Sequence, residues 1–65
     1  MYDVLYRDPR HAERLIAGGL DREAACALAR SEAEKLHVGR MFAAGSDLEP
    51  VGDMVLIVES TQRAA

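Results

Sequence analysis

The sequence predicts a small α+β domain of order ββαββ, with one helix on a four-stranded, mainly antiparallel sheet. Three observations predict it. Residues 2–7 (YDVLYR) alternate, with Tyr2, Val4 and Tyr6 on one side of an extended chain and Asp3, Leu5 and Arg7 on the other. Residues 21–37 open on an aspartate and continue in an alanine-rich run whose apolar positions recur at helical spacing. Met54-Val55-Leu56-Ile57-Val58 is apolar on both faces, which suits a strand at the middle of a sheet.

Taken in order, the first strand is bounded by Asp8-Pro9. Residues 10–19 admit two readings. One is a second strand over Ala12–Ala17, closing a hairpin around Asp8-Pro9-Arg10-His11. The other is a short helix capped by Asp8, with Pro9 in its first position and Gly18-Gly19 as its stop, giving βααββ. The hairpin is preferred because an isolated strand needs a partner. The main helix starts at Asp21, with Glu23 at the favourable end of its dipole. At about 100° per residue, Ala25, Leu28, Ala29, Ala33 and Leu36 share one side. A third strand is expected over Val38–Ala44, a polar loop over Gly45–Gly52 and the last strand over Asp53–Ser60. The domain thus spans residues 1–60, with 61–65 as a flexible tail. The first and last strands, being the most apolar, should be central.

Sixty-five residues allow one domain with a thin core. The 49% hydrophobic and 29% charged content is that of a folded chain. One cysteine permits no internal disulfide, and the first residues carry no basic segment followed by an apolar one, so a reducing cytoplasm is the expected location. No apolar run approaches the roughly 20 residues of a membrane helix. Seven arginines against one lysine, with eleven alanines, are a bias usual in proteins from GC-rich genomes, and a bacterial source is the expectation. The formal net charge of −3 is unfavourable to phosphate-backbone binding, though it leaves room for a local basic patch.

One helix cannot cover two sheet faces. Of Tyr2, Val4, Leu5, Tyr6, Met54, Val55, Leu56, Ile57 and Val58, about half must point away from it. Four or five such side chains left in water would forfeit on the order of 6–15 kcal/mol, comparable with a small domain's whole stability. A homo-oligomer, with a dimer favoured, follows as an expectation. Tyr2, Val4, Tyr6, Val55 and Ile57 are its candidate interface.

The candidate binding residues are Arg7, Arg10, His11, Arg14, Glu32, His37 and Arg40. Arg7, Arg10, His11 and Arg14 form the basic cluster, diluted by Asp8 and Glu13. It suits nucleic acid, an acidic protein or a solvated surface. Glu32 lies about 40° from the centre of the apolar stripe, where a carboxylate either has a raised pKa or meets an arginine such as Arg40 or Arg14. Glu34 and His37 have the Glu-x-x-His spacing of di-iron bundles, but those need a second such helix and further glutamates. Cys26 and His37 are roughly 16 Å apart along a helix, beyond the reach of a thiol–imidazole pair. Asp47, Glu49 and Asp53 lack the ligand ladder of an EF-hand and read as a solvated turn. Gly18-Gly19 completes no phosphate-binding motif. No catalytic, cofactor or metal residue is assigned, and no cofactor is expected.

The run Ala17-Gly18-Gly19-Leu20-Asp21-Arg22-Glu23-Ala24 is similar to the strand-to-helix junction of many small bacterial proteins, a resemblance that implies no activity. The leading expectation is a small bacterial interaction or regulatory module that self-associates and binds another macromolecule. A nucleic-acid-binding or antitoxin-like regulator is the alternative. An enzyme whose site forms between subunits, around Glu32, His37 and Arg40, ranks third.

Overall fold

The computed structural model describes residues 1–10, 12–43 and 52–60. Their elements are β1 (Tyr2–Arg7), β2 (Glu13–Leu20), α1 (Arg22–Leu36), β3 (Gly39–Phe42) and β4 (Met54–Glu59), which is the expected ββαββ order. The four strands form one sheet ordered β2-β1-β4-β3, with β1 and β4 at the centre. β1 is antiparallel to both neighbours, while β3 runs parallel to β4, so the sheet is mixed.

Asp8 anchors the turn that follows β1. Its Oδ1 accepts the backbone N–H groups of Arg10 at 2.9 Å and Ala12 at 3.0 Å. Its own N–H donates to the Ala12 carbonyl at 2.9 Å. The aspartate thus organises a hairpin turn, the local side-chain-to-backbone bonding that competes with a helix start. β2 runs further than the expected Ala12–Ala17, through Gly18-Gly19 to Leu20. Two register irregularities let it do so: Tyr2 faces Leu20, Val4 faces Ala17 and Leu5 faces Leu15. Gly19 has φ +66°, in the region that glycine enters without steric cost.

α1 begins on Asp21, whose side chain accepts the Ala24 N–H at 2.7 Å. It ends on His37, left-handed at φ 56°, whose N–H reaches the carbonyls of Ala33 and Glu34. Ala25, Ala29 and Ala33 are its buried stripe. Leu28 packs partly against the core, whereas Leu36 at the helix end is 38% exposed. β3 is shorter than the expected Val38–Ala44. Most of the expected 45–52 loop, and the 61–65 tail, lie outside the described residues.

The registers arrange side chains in cross-strand rows. Arg14, Tyr6, Val55 and Arg40 form one row, and Ala17, Val4, Ile57 and Phe42 another, both on the helix side. On the other face run Leu15, Leu5, Leu56 and Met41, flanked by Glu13, Arg7, Met54 and Gly39. The core is Val4, Val55 and Ile57 against Ala25, Ala29 and Ala33, with Tyr2, Tyr6 and Phe42 at its margins.

Two expectations change here. Tyr2, Val4, Tyr6, Val55 and Ile57, offered as an intersubunit surface, lie on the helix side of the sheet, with Val4, Val55 and Ile57 buried in the single chain. The opposite face is also not bare. Leu5 and Leu56 at its centre keep only 4% and 2% of their surface exposed, and none of the nine strand side chains counted as a deficit stands mostly in solvent. Burial of the strands therefore supplies no reason for a second copy.

Candidate binding surface

The chain direction brings the expected binding residues to one end of the sheet. β1 ends there, β2, β3 and β4 begin there, and α1 arrives there with its C-terminus. Arg7 closes β1, Arg10 sits in the turn, Arg14 is the second residue of β2, His37 caps α1 and Arg40 opens β3 beside Gly39. Arg14 and Arg40 belong to one cross-strand row at opposite edges of the sheet, which separates their Cα atoms by roughly 14 Å of sheet width. His11 lies outside the described residues.

Most of the acids at this end have partners, while the exposed Glu13 forms no ion pair among the described residues. The Asp8 carboxylate holds the turn through two backbone N–H groups. Asp53 accepts a hydrogen bond from the Tyr6 hydroxyl. Glu32 meets Lys35 at 3.5 Å, one turn along its own helix, rather than the expected Arg40 or Arg14. Glu13 stands opposite Arg7 in the register.

The guanidinium groups are differently placed. Arg10, Arg14 and Arg40 are exposed and form no ion pair among the described residues. Arg14 lies over the Tyr6 ring, 5.9 Å from its centroid, a cation–π arrangement that steadies the side chain. The half-buried Tyr6 phenol is held above its ordinary pKa. Burial is the first cause, followed by the charges of Asp53 and Asp8 and the Asp53 hydrogen bond, while Arg14 pulls the other way.

Other sequence signals resolve into structure. Glu34 pairs with Arg30 at 3.5 Å and His37 has left the helix, so Glu-x-x-His does not set two ligands on adjacent turns. Cys26 is half-buried against the core. Asp47 and Glu49 lie outside the described residues. A shallow depression of about 350 Å³ at the start of α1 is lined by Asp21, Glu23, Ala24 and Ala27, on the opposite end from the arginines. It supplies no nucleophile–base pair.

Sequence reasoning passed over Asp3. Its side chain is 2% exposed on the face away from the helix. Oδ1 accepts the Gly19 N–H at 3.1 Å and the Ser60 hydroxyl at 2.7 Å. The available signal was an aspartate inside an otherwise apolar and aromatic strand, a residue that strands disfavour unless it is bonded.

Fold and site together define a small α+β domain with an arginine-bearing turn end. Comparisons with protein-family models, curated proteins and solved structures returned no match.

Proposed function

We propose that this chain is a small interaction module that binds another macromolecule through the turn end of its sheet. The observation that carries the reading is an asymmetry of charge pairing. Asp8, Asp53 and Glu32 are taken up by turn N–H groups, a phenol and a lysine, so that of the carboxylates at that end Glu13 alone stands without a partner among the described residues, beside Arg10, Arg14 and Arg40, which are exposed and form no ion pair among them. Exposed arginine is over-represented where proteins meet partners, because it offers five donors in a fixed fork. Self-association, expected from strand burial, loses that support and is left out of the reading.

The test is comparative capture from the native cell with the wild-type chain and an Arg10→Glu/Arg14→Glu/Arg40→Glu variant, followed by mass determination of the assembly. A partner held by the wild type and lost from the folded variant supports the reading. A partner retained by that variant overturns it.

A further inference from the structure

We draw no further inference here: the strongest candidate outside the binding surface, the buried cluster in which the Asp3 carboxylate of β1 accepts from Gly19 near the end of β2 and from Ser60 just beyond β4, joins strands of the fold already described, and nothing among the described residues points to a ligand or a second state for it.

Discussion

The Asp3 carboxylate occupies the space that a side chain at Gly18 would need: Oδ1 lies 2.8 Å from the ideal Cβ position there. That oxygen also accepts from Gly19 and Ser60, so it cannot retreat without losing hydrogen bonds. Gly18→Ala should therefore destabilise by about 1–3 kcal/mol, the usual cost of overpacking. Asp3→Ala leaves the Gly19 N–H without its acceptor and should cost a similar amount, with Ser60→Ala milder at about 0.5–1.5 kcal/mol. Urea melts measure all three. If Gly18→Ala melts with the wild type, the close approach does not constrain the native state.

The helix ends permit a prediction of opposite signs. His37 holds a left-handed conformation that costs an L-residue roughly 1–2 kcal/mol, while glycine there costs about 0.5–1 kcal/mol in chain entropy. His37→Gly should raise stability by up to about 1 kcal/mol. Asp21→Ala removes the acceptor of the Ala24 N–H and should lower it by about 0.5–2 kcal/mol. Thermal melts in one buffer decide both, and a destabilised His37→Gly would contradict the cap assignment.

Tyr6 should leave its mark at alkaline pH. Its phenol is held above 10.0, chiefly by burial and then by Asp53 and Asp8. The fold thus favours the protonated form, and the resulting stability is complete below the ordinary phenol value and disappears as pH rises through the higher folded one. In a Tyr2→Phe background, phenolate absorbance isolates Tyr6. Asp53→Asn should move its titration to lower pH. A titration unmoved by that change would show that the Asp53 charge and hydrogen bond do not hold the proton.

The free chain should sediment as a species of 7.1 kDa at micromolar concentration. Its two central strands bury Val4, Leu5, Val55, Leu56 and Ile57 within the single chain, and both edges are blunted, β3 by having four residues and β2 by its two register irregularities. Leu15, 45% exposed on β2, is the apolar side chain most open to a neighbour within a strand. A species of twice that mass, converted to the smaller one by Leu15→Lys, would show that this edge pairs after all.

Most of the architecture was legible in the sequence because alternation, capping and alanine content agreed. What failed was strand parity. Tyr2, Val4 and Tyr6 alternate with Asp3, Leu5 and Arg7, and two polar residues in the second set mark it as the side away from the helix. β4 is apolar at every central position and gives no vote, so alternation alone does not say which set of side chains faces the helix. Gly18-Gly19 looked like a stop, although glycine in a strand also permits a bulge. The parallel pairing of β3 with β4 left no local signal, because it depends on where an intervening loop returns. The arginines were individually visible; their shared end followed only from strand order and direction.

The middle of the sheet joins two strands far apart in sequence, with Tyr2 facing Glu59. During synthesis on a ribosome, the first strand emerges long before the last and meets only its hairpin neighbour in the meantime. Loop closure over most of the sequence must then precede completion of the sheet, which slows folding relative to a chain of local contacts. A nascent chain that has not yet made β4 would hold a hairpin and a helix but no closed core, and protection from proteolysis should arrive abruptly once that strand is available.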